Sequence, residues 1–373
     1  MPAIMSVEAR EYVKHHEVEE RVAEAVASAV RARPADPVAH IGKVLLKRTP
    51  ALVVDAHFHF FDTKKNAFNS FLGSLGAPPY LPEDYASDAL GVPITKTVHV
   101  EAMPDNGLEE AKWIHSLAEA GRCKVAAIVG SCNLADIDAA AQLDALKRCS
   151  HRVRGIRYII DYDGEWNGGK NGTHPNMMRH GDGKGVDYLR DPAYAADFER
   201  GFAELATRDL SFDLQCHPSQ LPAAAELLAR HPGVKVVIDH MGKARHLAAD
   251  GGADDEAKLA EWRAGMKLMA AQPQVHVKLS MLGYSVPGWH AVAEKGELLR
   301  SLVREVIDLF GASRCMFASN FHISAAGSDS DGAFSSGLEM APLYEKFCDW
   351  VADYSDKDRQ MLFSGTATAF YRL

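Results

Sequence analysis

The sequence predicts a (β/α)8 TIM barrel carrying an N-terminal two-helix extension. Three observations point there: short β-branched apolar runs alternate with longer helix-periodic segments, eight such runs can be counted, and 373 residues suit one α/β barrel plus an addition.

The runs are LVVDAHFHF (52–60), KTVHVEAM (96–103), KVAAIVGSCN (124–133), VRGIRYIID (153–161), LSFDLQCHP (210–218), KVVIDHMG (235–242), VHVKLSML (275–282) and CMFASNFHI (315–323). Each has the length and β-branched content of a strand and ends in polar residues. Between them lie GLEEAKWIHSLAEAG, DPAYAADFERGFAELATRD and ELLRSLVREVIDLFG, the first and last closed by a Gly at the expected helix stop. An open doubly wound sheet is the alternative, but it usually has fewer strands and a Gly-rich phosphate turn after the first one, which this chain lacks. In a barrel the C-terminal strand ends form the active face, so the histidines and charges collected there are candidates for function. The connections 162–191 and 324–337 are long and rich in Gly and short polar residues, which reads as lids over that face.

Residues 1–50 do not follow the barrel pattern, which places a separate helical segment there and the barrel in residues 51–373. The segment reads as a long amphipathic helix, a Pro34-Ala35-Asp36-Pro37 break, and a short helix with Val38, Ile41, Val44 and Leu45 on its apolar side. An apolar helix face needs a partner, either the underside of the barrel or a second copy of the chain.

Composition excludes several classes. With 47% hydrophobic and 24% charged residues the chain is globular, and no apolar run reaches the ~18 residues of a membrane span. Acids and histidines stand at the start of the chain where a signal peptide would be apolar, so no membrane partner and a cytoplasmic location are expected. A net charge of −9 without a basic stripe argues against a nucleic-acid partner. The 6 cysteines lie singly, as reduced thiols do, and Cys216 reads as a small buried strand residue.

Strand one ends Asp55-Ala56-His57-Phe58-His59. Alternation at period two puts Asp55, His57 and His59 on one side, in the barrel mouth, where two imidazoles can grip a divalent metal. Strand five ends Asp213-Leu214-Gln215-Cys216-His217, with Gln215 and His217 on one face, so His217 is the candidate third ligand. Strand six ends Asp239-His240-Met241-Gly242, and His240 is a candidate ligand, general acid or hydrogen-bond donor to a carbonyl. Zinc is the expected ion, because neutral imidazole suits it and the bound metal lowers the pKa of its water towards ~7.

The stretches VDAHFHFFD, VHVEA with EEAKWIHSLA, VRGIRYIID, LSFDLQCHPSQL, VIDHMGK, VKLSMLGY, RCMFASNF and LFSGTATAFYRL together resemble the amidohydrolase-2 family over residues 51–373. Within it the likeness is to the lactonase branch, and it implies hydrolysis, or in some relatives decarboxylation, of small carboxylated or cyclic substrates. Arg33-Pro34-Ala35-Asp36-Pro37 with Leu45-Leu46-Lys47 resembles the Dpy-30 type helical dimerisation motif, which implies a homo-oligomer.

One departure from the family matters. Most members end the eighth strand with an Asp that binds the metal and acts as base, whereas Asn320 stands here and cannot take a proton. His322, on the same strand face, is the candidate to supply part of what is missing, and Glu101 the candidate carboxylate. Arg154 and Arg157 suit a substrate carboxylate through their guanidinium forks. Lys278 is placed to polarise a lactone carbonyl. A structural ion pair is the competing reading for each of these charged residues. The expected reaction is attack of an activated water on a cyclic ester. A metal-dependent decarboxylase and a non-catalytic ligand-binding barrel are the alternatives, and some family members work without a metal.

Overall fold

The computed structural model describes residues 18–46, 52–162, 185–321 and 338–373. The chain divides into two units, Met1–Pro50 and Ala51–Leu373. In the first, helices Val18–Ala32 and Pro37–Leu46 are joined where Asp36 Oδ1 accepts from the Ala39 N–H at 2.9 Å and caps the second helix. Ser28 Oγ pairs with His40 Nε2 at 2.9 Å, while Val22, Val26, Val30 and Val38 stay exposed.

The second unit is the barrel. Its strands are β1 (Val53–Phe58), β2 (Ile94–Val100), β3 (Val125–Ser131), β4 (Val153–Arg157), β5 (Ser211–Leu214), β6 (Val236–Ile238), β7 (Val275–Leu279) and β8 (Cys315–Phe317). They pair in parallel in sequence order as one 8-stranded sheet with helices between them, a (β/α)8 TIM barrel. A parallel bridge from Phe58 to Phe321 closes the seam, where the His59 N–H donates to the Phe321 carbonyl and the Asn320 N–H to the His57 carbonyl, each at 2.8 Å.

Hydrophobic side chains sort into two layers. Val53, Ile128, Ile156, Phe212 and Phe317 pack outward against the helices. Val54, Ala56, Val98, Val100, Ala127, Val129, Val237 and Met316 form an inner cluster with Ala367, Phe370 and Tyr371 of the C-terminal helix Thr366–Tyr371. That helix fills the N-terminal end of the barrel. The Phe370 ring lies 4.8 Å from His276, the second residue of β7, and Arg372 Nη2 donates to the Asp209 carbonyl at 2.8 Å, just before β5. Each fully buried aromatic or branched side chain contributes about 1.5–3 kcal/mol, so the plug is a large part of the inner core.

The strands stop earlier than the apolar runs. β6 ends at Ile238 and β8 at Phe317, and the polar residues after them leave the sheet. Left-handed backbone sits at those exits: Met103 after β2, His240 to Lys243 after β6, Met281 after β7 and Asn320 after β8. Such strain persists only where the surroundings over-determine it, and it clusters at functional faces.

Candidate active site

A fault in β1 decides which way its side chains point. The β1–β2 register slips between Asp55 and Phe58, so strict alternation fails. Asp55, expected in the mouth beside the two histidines, instead accepts from Ser319 N at 2.8 Å, Ser319 Oγ at 2.6 Å and Tyr85 Oη at 2.7 Å. It latches β1 to the segment after β8. His57 and His59 share the mouth, with ring centroids 4.9 Å apart. His59 Nδ1 donates to the Val100 carbonyl at 2.8 Å, which leaves the lone pair on Nε2.

His240 reaches the same point from β6. Four successive left-handed residues, with φ of 55°, 55°, 66° and 57° from His240 to Lys243, swing the chain back over the mouth. Gly242 is required in that turn, since a Cβ there would lie 2.7 Å from Met266 Sδ. The His240 ring comes to 4.8 Å from that of His57, and its Nδ1 pairs with Ser280 Oγ at 2.9 Å. Among the described residues, His57, Asp239 and His240 offer ligand atoms that all lie within 4.8 Å of one another.

A buried charge network surrounds this trio. Arg157 Nε donates to Glu101 Oε1 at 2.8 Å, its Nη2 donates to the Glu101 carbonyl, and its Nη1 lies 3.3 Å from both Gln215 Oε1 and His57 Nε2. Lys278, fully buried, donates to Asp213 and lies 3.1 Å from both Asp239 Oδ1 and His57 Nδ1. An ammonium has three protons, and three acceptors are at hand. Lys278 is therefore spent on the network rather than aimed at a carbonyl. The same holds for Glu101, whose Oε2 accepts from Met103 N at 2.9 Å while Oε1 holds Arg157.

Electrostatics keep the imidazoles neutral. Burial, then the Lys278 and His59 charges, hold His57 well below the usual histidine range, and burial followed by Arg157 does the same to His59. Burial and then His57 lower His240 in the same way. Burial pushes Asp213 up to about 6 despite Lys278, with the like charge of Asp239 adding to the rise. Burial also acts on Asp239, but Lys278, His240 and Arg157 outweigh it and hold that carboxylate ionised.

A divalent metal fits this donor set. Two neutral imidazoles and one carboxylate converge, and among the described residues Asp239 Oδ2 receives no hydrogen bond, while Oδ1 faces Lys278 Nζ at 3.1 Å. Glu101, Asp213 and Asp239 also outnumber Arg157 and Lys278, so the network carries one carboxylate more than it has cations.

Two of the expected residues lie elsewhere. β5 stops at Leu214, so His217 caps the short helix Pro218–Gln220, with Nδ1 accepting from Ser219 N at 3.1 Å and paired with Ser219 Oγ at 2.8 Å. Its charged neighbours are Arg245, Asp161 and Lys243, a second ion cluster in which both cations pair with Asp161. Arg154 is the second residue of β4 and stands at the opposite end of the barrel, where its carbonyl faces Arg372 Nη2 at 3.4 Å. Asn320 lies against His59, a contact that raises the imidazole's affinity for a proton. His322 and both long connections fall largely or wholly outside the described residues. Cys216 is buried, and its thiol is pushed up by that burial.

Sequence reasoning passed over Asp239 and Asp213 as site residues. Val237 lines the barrel interior, so the period-two rule would have put Asp239 on the same side. A groove of about 580 Å³ lies beyond the ends of β2, β3 and β4, with Met103, Asp105, Ser131, Asn133 and Tyr158 among its walls and none of His57, Asp239 and His240 lining it. Met103 and Tyr158 connect it to Glu101 and Arg157, their neighbours along the chain. One other trio at ligand spacing, His115, Glu119 and His151, lies on the surface, and its Glu119 already pairs with Arg152.

Comparison with known proteins agrees with this architecture. The chain is 30% identical over 335 residues to protein y4mH of Sinorhizobium fredii, covering 86% of this chain and 98% of that one. It is 28% identical over 324 residues to the L-fucono-1,5-lactonase of Burkholderia ambifaria, covering 86% and 95%. A crystal structure of an amidohydrolase from Burkholderia multivorans with bound zinc superposes with a TM-score of 0.65 at 24% identity, covering 87% of this chain and 100% of that one. The amidohydrolase family model matches residues 54–373, leaving the N-terminal helices outside it, and on that match the chain belongs to the amidohydrolase family and is a hydrolase.

Proposed function

We propose that this protein opens a small lactone by delivering a water molecule to the ring carbonyl at the barrel mouth. The observation that carries the reading is the convergence of His57, His240 and Asp239 within 4.8 Å, with both imidazoles kept neutral. The similarity to L-fucono-1,5-lactonase supports a cyclic ester as the substrate class.

With Nδ1 donating to Ser280 Oγ, His240 keeps a lone pair on Nε2 and takes the proton of the attacking water. The water oxygen bonds to the acyl carbon, the ring acyl–oxygen bond breaks, and His240 returns the proton to the departing alkoxide, giving a hydroxy acid. Asp239 and Lys278 fix the orientation of His57. The Gln215 amide, held through its Oε1 by Arg157, orients the carbonyl or a substrate carboxylate, since the fork of Arg157 is committed to Glu101 and Arg154 is too remote. The groove of about 580 Å³ whose walls include Met103 and Tyr158 has the size of a small-molecule site. His57 and Asp239 would hold a divalent ion, zinc by the softness of its imidazole donor, and bound there it would supply Lewis acidity and a water of lowered pKa, leaving the Nε2 lone pair of His240 for the proton.

Replacement His240→Ala is expected to lower turnover of a responsive lactone by roughly 100- to 10,000-fold. A panel of aldono- and pyrone-type lactones followed by acid release checks this, and unchanged turnover in the variant would remove His240 from the chemistry.

We also propose a homo-oligomer built through the N-terminal helices, because Val22, Val26 and Val30 repeat at helical spacing and remain exposed. The number of copies per particle should fall when residues 1–50 are deleted; an unchanged number by light scattering excludes that surface. Cysteines that lie singly and form no disulfide favour the cytoplasm as the compartment. No helix among the described residues is long and apolar enough to cross a membrane.

A further inference from the structure

The mouth is tied to the opposite end of the barrel by one side chain. Tyr371, the last residue of the C-terminal helix, is fully buried, and its hydroxyl donates to Asp213 Oδ2 at 2.8 Å. The same oxygen accepts from Lys278 Nζ, whose remaining protons face Asp239 Oδ1 and His57 Nδ1, each at 3.1 Å. Asp213 Oδ1 has no hydrogen-bond partner among the described residues. The Lys278 ammonium also lies 5.6 Å from the centre of the Tyr371 ring.

We propose that Tyr371 is a positioning residue of the active site, holding Asp213 in one rotamer so that Lys278 stays between Asp213, Asp239 and His57. The physical reason is the symmetry of a carboxylate. Its two oxygens are equivalent until a donor distinguishes them, and here the phenol hydroxyl anchors Oδ2 while Oδ1 is idle. Without the hydroxyl, Asp213 can turn both oxygens toward Lys278, and the ammonium then moves off His57 Nδ1. A residue of the C-terminal helix would in this way set the orientation of an imidazole in the mouth. The ring of Tyr371 packs in the inner core, so only its oxygen is assigned this task.

Tyr371→Phe keeps the ring and removes the oxygen. The expected result is a fall in kcat of about tenfold, the scale of one hydrogen bond to a charged group, with KM within twofold of the parent. In a cycle with Asp213→Asn the double variant should be no slower than Asp213→Asn alone, because the hydroxyl acts only through that carboxylate. A kcat equal to the parent in folded Tyr371→Phe, or losses that multiply in the double variant, overturns the proposal.

The inference rests on geometry and not on the lactonase reading, so a second measurement needs no substrate. The ¹⁵N resonances of the His57 ring should shift in Tyr371→Phe while those of His276, which touches Phe370, stay in place. Unmoved His57 resonances overturn the proposal even if no lactone is ever opened, whereas a shifted His57 in a protein inert to every lactone leaves the positioning role standing and defeats only the proposed reaction.

Discussion

Arg157 and Arg154 lie three positions apart on β4 and belong to different chemistries. Arg157 is at the mouth, buried to 2% exposure, and bound to Glu101, Gln215 and the neighbourhood of His57 and Asp239. Arg154 is at the plugged end, its Nε without a hydrogen-bond partner among the described residues, and its charge adds to the burial that lowers the proton affinity of Arg372. Residue type is identical, so depth along the strand and the face to which each side chain turns decide the role. The two ends differ in the same way throughout: the mouth is polar with left-handed backbone, whereas the base is filled by Ala367, Phe370 and Tyr371.

The largest effect is expected from Arg157→Ala. Removing it leaves Glu101 and Asp239 short of a buried counter-charge, which costs roughly 3–5 kcal/mol of stability, and turnover should fall at least as far as in the His240 variant. Denaturant unfolding and lactone kinetics measure the two losses, and a variant as stable and active as the parent would erase the distinction between the barrel's ends.

Acid should weaken both ends. Burial lowers His99 and His217 to about 3 and His276 to about 4, each from an ordinary value near 6.5. His276 is at the base and the others towards the mouth. Below pH ~6.5 the unfolded chain takes up protons that the folded chain refuses, so their contribution is complete above that pH and is lost as the pH falls. Asp213, raised to about 6, and Asp55, also raised by burial, work the other way, favouring the folded state at lower pH, but they are outnumbered by the buried histidines, which include His57, His59 and His240. The melting temperature should therefore be lower at pH 5 than at pH 7.5; equal values would mean that these histidines are not buried neutral.

The smallest change is expected from Arg154→Ala. Stability should move by less than about 0.5 kcal/mol and turnover should hold, since the side chain makes no ion pair among the described residues. A loss comparable to that in Arg157→Ala would put Arg154 back in the site.

Much of the fold was legible because strand and helix differ in hydrophobic period, and eight runs alternating with helical segments admit few topologies. The site was legible in part, for His57, His59, His240, Glu101 and Arg157 all stand at strand ends that converge by topology. Asp55 was misdirected by a register slip that alternation cannot foresee, and His217 by a strand that stopped three residues short of it. Lys278 was visible as a charge but not as one already shared among three acceptors.

By itself, then, the order of residues determined a closed parallel sheet, the face that carries chemistry, and the imidazoles on it, because these follow from periodicity and from which strand ends come last. The tertiary structure alone decided that Asp239 completes the trio, that Asp213 and Tyr371 stand behind Lys278, and that two arginines of one strand part company. Those relations join residues up to 221 positions apart, as between His57 and Lys278, and depend on a bulge, a left-handed turn and a helix reaching in from below, none of which leaves a periodic mark on the chain.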